Sequence, residues 1–232
     1  MNKIELKDSD LNKEIYLKDD SVISIKDLNG DINYKIDKDI KIFIYLESSE
    51  LDITFDIISS CILNIFSFNS SLITNLNLNK EDVSIDYVYS TLNKDDNNYT
   101  LNINHNSKDQ SSNIVNHGIN LENNKLDFIV NAIVPKTSSN ITTNQDNKIL
   151  VMGDNNSSIK PNLLIDNDDI EAEHSAYIGD FKKEVLFYLE SRGIKEEDAK
   201  KFLAKYFLTG NMNISYLEMD LILNKLDKYW RW

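Results

Sequence analysis

Few side chains in this sequence could do chemistry. The 232 residues include one cysteine, Cys61, and three histidines, His105, His117 and His174. His174 stands in the run Ile170-Glu171-Ala172-Glu173-His174-Ser175-Ala176. An imidazole there could ligate a soft metal or act as a base. The competing reading is a hydrogen-bonded histidine at a domain junction, and spacing alone favours it. His105 and His117 lie in a polar stretch before Leu121, where a structural role weighs more still. Cys61 falls inside an alternating apolar run and reads as a small buried hydrophobe. Asp166, Asp168, Asp169, Glu171 and Glu173 resemble a hard-cation cluster but lack the spacing of a calcium loop, so a solvated turn is expected. One cysteine and three histidines cannot form a cysteine-rich zinc or cluster site within one chain. There is no Walker A loop, GxGxxG or GxSxG, so no directly bound nucleotide is expected.

The elements that must position these residues show two textures. Up to about residue 165, short apolar and polar residues alternate in the runs 22–25, 40–46, 51–58, 61–68, 72–78, 83–89, 99–104 and 126–134. Ile40, Ile42, Ile44 and Leu46 share one face, as do Leu51, Ile53, Phe55 and Ile57, which predicts strands with one buried side. Starts recur roughly every 10 to 12 residues, a spacing that fits a sandwich, a barrel or a β-solenoid. Asn29-Gly30 is the one clear hairpin signal, and that scarcity favours the solenoid. From about residue 178 the period becomes helical. Phe181, Val185, Leu186 and Leu189 form one stripe, closed by Gly193 as a C-cap. A second helix turns Ala199, Phe202, Leu203, Tyr206 and Phe207 inward and ends near Gly210. A third opens on a capping box, Ser215 with Glu218, stapled by Ile214 and Met219. Leu217, Leu221, Leu226 and Tyr229 carry its stripe to Trp230. Of the terminal Tyr229-Trp230-Arg231-Trp232, the last residues read as a docking patch. The expected fold is mainly β, with a small helical domain after it.

Composition narrows the function classes. Apolar residues make up 41% and charged residues 27%, a globular balance. The formal net charge of −13 argues against nucleic acid and anionic membranes as partners and is a solubility feature first. A lone cysteine allows no internal disulfide. The N-terminal residues lack the apolar core of a signal peptide. No apolar run approaches the roughly 18 residues that span a bilayer. A cytoplasmic protein is expected.

Beyond composition, the segment Asp168-Asp169-Ile170-Glu171-Ala172-Glu173-His174-Ser175-Ala176-Tyr177-Ile178-Gly179, followed by Leu186-Phe187-Tyr188-Leu189-Glu190-Ser191-Arg192-Gly193-Ile194, resembles the C-terminal signature of the SufB/SufD family. That signature joins a histidine box to an FYLxSRGI box. Upstream, His105, Ser112 and His117-Gly118, then Gln145 with Lys148-Ile149-Leu150-Val151, then Pro161-Asn162-Leu163-Leu164-Ile165 are similar to further family stretches. The resemblance spans about residues 100 to 208; residues 1 to 100 match in texture only.

The resemblance implies a right-handed parallel β-helix over 1–177 and an ATPase-docking helical domain over 178–232. It implies a non-catalytic scaffold in iron–sulfur cluster assembly, bound to a SufC-like ABC ATPase through Phe187, Tyr188, Leu189, Arg192, Gly193 and Ile194. A homodimer, or a pair with a sister subunit, would form through the β-helices, with a transient cluster at the interface. His174 matches the family's box histidine and is the metal candidate, with Asp146 and Glu173 beside it as candidate cluster or iron ligands. Two departures stand out. The SufB-type glutamate after the histidine is Ser175, and the SufB-type cysteine falls at Asp146. The N-terminal helical region of larger members has no counterpart, so no flavin is expected. A degenerate partner that ligates no metal is the alternative; a β-solenoid carbohydrate-active protein or adhesin is the remote one.

Overall fold

A computed structural model describes residues 2–121, 123–153 and 156–230. Arg231 and Trp232, read above as a docking patch, lie outside them. The described strands are β1 (Asn2–Glu5), β2 (Glu14–Leu17), β3 (Ser21–Lys26), β4 (Asn29–Ile36), β5 (Ile40–Glu47), β6 (Glu50–Ile57), β7 (Cys61–Phe68) and β8 (Ser71–Leu78). They continue as β9 (Ser84–Asn93), β10 (Asn97–His105), β11 (Gln110–Leu121), β12 (Leu126–Val134), β13 (Ile141–Met152), β14 (Ser158–Ile165) and β15 (Ile170–Gly179). Odd-numbered strands line up in order as one parallel sheet of eight, even-numbered strands as a second of seven. Each odd–even pair is therefore one turn of a parallel β-helix. In-register partners are 21 residues apart early in the chain, as between Ile40 and Cys61, and 31 apart between Gln110 and Ile141.

Alternation fixes which side chains enter the space between the sheets. Ile32, Ile44, Ile53, Phe55, Leu63, Ile65, Tyr87 and Phe128 are among those packed there. Tyr34 stacks on Phe55 at 5.1 Å, and Tyr89 on Tyr99 at 3.8 Å. Each such burial contributes about 1.5–3 kcal/mol. The corners need left-handed backbone, and Asp27, Ser48 and Asn69 supply it with φ between 47° and 54°. Stacked serines then take up the corner amides: Leu28 N–H donates to Ser49 Oγ, and Ser49 N–H to Ser70 Oγ. That is how a solenoid manages with six glycines. Asn29-Gly30 is not a hairpin turn; the pair opens strand β4.

On the outer face of the seven-stranded sheet, asparagines form rows. Asn162 donates to Asn131, Asn131 to Asn102 and Asn102 to Asn75, each at 2.8 Å, and Asn75 donates to Asp52 Oδ1 at 2.7 Å. Two further rows, Asn104–Asn77 and Asn106–Asn79, both end on Asp56.

The helices α1 (Lys183–Ser191), α2 (Glu196–Thr209) and α3 (Tyr216–Tyr229) cover the outer face of the eight-stranded sheet. Phe66, Phe68, Leu92 and Ile119 from the strands share a second apolar core with Leu186, Ala199, Ala204, Leu208, Ile222, Leu226 and Trp230. Phe68 stacks on Tyr229 at 4.5 Å, and Lys225 Nζ reaches Glu47 at 2.6 Å. Gly193, at φ 85°, ends α1 with its N–H on the Glu190 carbonyl. The Ser215–Glu218 capping box is present. The stripes differ from expectation: Val185, Phe202, Tyr206, Leu217 and Leu221 are exposed. On α2 the expected Ala199, Leu203 and Phe207 do pack against this core, joined by Ala204 and Leu208. Phe202 and Tyr206 are left outside.

Candidate functional site

Strands β14 and β15 are the last of their sheets, so one side of each has no strand partner among the described residues. β15 carries the histidine box and bonds to β13 in register: Asn144 faces Glu173, Gln145 faces His174 and Asp146 faces Ser175. On β13, Ile149 points into the inter-sheet core and Leu150 into the helix-facing one, so odd positions there face inward and even ones outward. Register then puts His174 on the inner side and Glu173 and Ser175 on the outer side. The Ser175 Oγ donation to Asp146 Oδ1 at 2.6 Å agrees with this. The candidates are thus divided within one chain, with Asp146 and Glu173 on one face of the sheet and His174 on the other. Among the described residues no group of three or more His, Cys, Asp or Glu could hold a metal ion.

Asp146 is already engaged. Lys148 Nζ lies 2.5 Å from its Oδ2, and His117 Nε2 is 3.6 Å away, an ion-pair distance. The His117 imidazole, then Lys148 and Ser175, hold this carboxyl well below the usual carboxylate range against partial burial. His117 is itself buried between β11 and α2. Its Nδ1 donates to the Phe207 carbonyl at 2.9 Å, and its ring stacks on Phe207 at 4.3 Å with 7° between planes. His117 therefore ties the C-terminal turn of α2 to the strand beside β15. Sequence reasoning gave it little weight. The signal that could have found it is its outward phase on a strand roofed by a helix.

The other candidates are structural in their surroundings. His105 is buried with Nε2 on Ser112 Oγ at 3.0 Å, and Ser112 continues to Thr143 Oγ1 at 2.8 Å. Burial pushes its pKa down to about 4. The Cys61 thiol is buried and pushed up to about 12, by burial first and then by Asp39 and Asp86. In the acidic run, Asp169 accepts the Asn140 N–H, and its own N–H donates to Asn167, as in a solvated turn.

Of the docking candidates, Phe187 is 72% and Tyr188 56% exposed. Ile194 is exposed as well, and Arg192 lies over the Tyr188 ring at 5.3 Å. Leu189 is half-buried against the helix core. The first helix therefore presents an aromatic, unroofed surface close to the end of β15.

Residues 61–207, from the start of β7 through most of α2, match the model of the SufBD core domain of SUF-system FeS cluster assembly. The chain belongs to the SufBD family. The iron–sulfur cluster assembly protein SufD of Bacillus subtilis is 36% identical over 70 residues, which is 30% of this chain and 16% of that protein. SufD of Escherichia coli is 42% identical over 48 residues, 21% of this chain and 11% of that protein. The chloroplastic protein ABCI7 of Arabidopsis thaliana is 44% identical over 50 residues, 22% of this chain and 10% of that protein. The aligned stretches thus span well under a fifth of these relatives. Among the described residues, no helix of this SufBD-family chain is long and apolar enough to cross a membrane.

Proposed function

We propose that this chain is a non-catalytic scaffold subunit of a SUF-type iron–sulfur cluster assembly complex. Residues 178–232 dock a SufC-like ABC ATPase, and residues 1–177 pair with a second SufB/SufD-type subunit, identical or sister. The observation that carries the reading is a juxtaposition: an exposed aromatic box on α1 follows directly on a terminal strand that carries the histidine box. ATPase closure would pull on α1, and through it on β15 at the pairing edge. The nascent cluster is cargo held transiently near His174, with Asp146 and Glu173 from either subunit as further candidates. Nucleotide stays on the ATPase, no flavin is involved, and the cytoplasm is the compartment.

The test is co-purification with the SufC-like ATPase from the same source. Stable association that Phe187→Asp and Tyr188→Asp abolish supports the reading; no association with the wild-type chain removes it. A second reading, a structural partner that ligates no metal, is favoured by the three partners that already hold Asp146. Cluster formation in the reconstituted complex that survives His174→Ala would select this second reading.

A further inference from the structure

Among the described residues, one side-chain amide of the solenoid interior has neither end paired. Gln145 is 3% exposed, and both its Nε2 and its Oε1 lack a hydrogen-bond partner among the described residues. A buried amide with neither end paired is costly and calls for an explanation. Its polar neighbours are otherwise engaged. Thr143 Oγ1 bonds Ser112, while the Asn147 amide accepts from Asn116 and donates to the Ser175 carbonyl. On the same inner face, Gln145 has Ile114 in register on one side and His174 on the other. Ile114 can offer it no hydrogen bond. His174 can, from a strand about 4.8 Å away.

We propose that Gln145 is a positioning residue for His174. Its Oε1 accepts the N–H of one ring nitrogen, which selects one imidazole tautomer. The lone pair of the other nitrogen then faces the open end of the β-helix. A histidine that presents a nitrogen to a metal commonly has its other nitrogen held in this way. The proposal rests on the reading of His174 as the metal-facing residue.

The experiment uses the full chain with ¹⁵N-labelled histidine. Long-range ¹H–¹⁵N spectra report the His174 tautomer, thermal unfolding reports stability, and anaerobic Co²⁺ titration probes metal uptake. In the wild type, one tautomer should dominate. Gln145→Leu should return His174 to the mixture of a free imidazole and weaken Co²⁺ binding about 10- to 100-fold. It should change Tm little, because the bond lost to His174 is offset by removing an Nε2 that has no partner among the described residues. Gln145→Glu, which keeps an acceptor, should retain the tautomer. His174 signals that are the same in wild type and Gln145→Leu would overturn the proposal, and so would a lowered Tm with the tautomer unchanged. If the tautomer responds but His174→Ala binds Co²⁺ as the wild type does, Gln145 keeps its positioning role and the metal reading of His174 fails.

Discussion

His105 links stability to pH in a definite direction. Its pKa falls from 6.5 to about 4 on folding, because burial disfavours the charged ring. The unfolded chain therefore binds more protons between those values. This stabilisation is complete above pH 6.5 and is lost progressively as pH falls toward 4. The loss amounts to about 3 kcal/mol. Thermal unfolding from pH 7.5 to 4.5 should show it, and His105→Gln should flatten the lower part of that curve. His117 carries a different load. His117→Ala removes a hydrogen bond to a carbonyl at the end of α2 and a ring stack, for a cost of about 1–3 kcal/mol. Faster amide exchange in α2 would be its signature. The Cys61 thiol should react with a maleimide only as fast as the chain unfolds; rapid labelling of the native protein would contradict its burial. At this scale the sequence exposes motifs and hides partners. The box around His174 stands out in the sequence because it is contiguous. Two of the ties on Asp146 do not, because His117 and Ser175 reach it from neighbouring strands 29 positions away; the third, Lys148, is two positions along the same strand.

Among the elements, α3 owes its sharp start to the capping box, where the Ser215 N–H donates to Glu218 Oε2 at 2.5 Å. Glu218→Ala should lower stability by about 1 kcal/mol, readable as a fall in Tm, with Glu218→Gln milder. The eight runs singled out in the sequence fall on β3, β5 to β10 and β12 within a few residues, since period two states directly which side is buried; β1, β2, β4 and β11 did not stand out, β4 because its Asn29-Gly30 reads as a turn. The helices were legible in number and order and their inward faces in part: Leu186, Ala199, Leu203, Phe207 and Leu226 do pack inward, whereas Val185, Phe202, Tyr206, Leu217 and Leu221 stay exposed. Phe202 and Tyr206 flank Leu203 and Phe207 on the helical period, and only contact with Phe66, Leu92 and Ile119 decides how far round the helix the buried side extends. A helix on a flat sheet favours small residues at the contact, and hydrophobicity alone ranks the aromatics higher.

For the molecule as a whole, the two textures of the sequence do not make two separate cores. Val22, Phe43, Phe66, Phe68, Leu92 and Ile119 face the helices, and Lys225 spans the seam with its ammonium 4.8 Å from the Phe68 ring centre. A chain cut after residue 179 would bare this apolar strip. We expect it to bind a hydrophobic dye strongly and to self-associate, whereas the full chain should do neither. A truncated chain that stays monomeric and dark would mean that the sheet has another way to cover the strip. Solenoid turns were legible as repeated strands; strand phase carries no record of which strand pairs with which, so the choice of β-helix over sandwich and barrel came from the scarcity of hairpin turns and from the family resemblance.

The asparagine rows have one more property: they point one way. A carboxylate can only accept, so Asp52 obliges Asn75 to present its NH₂, and each amide above it must follow suit up to Asn162. The row behaves like a line of compass needles with one pole clamped. Asp52→Asn would release the clamp without moving the backbone, leaving head-up and head-down arrangements of the same four amides close in energy. Doubled side-chain amide signals from Asn75, Asn102 and Asn131 in an otherwise unchanged spectrum would reveal it; single, unshifted signals would mean that some other group sets the direction. The outer wall of the solenoid thus has a polarity of its own, written in proton positions rather than in the course of the chain, and two carboxylates, Asp52 and Asp56, decide it.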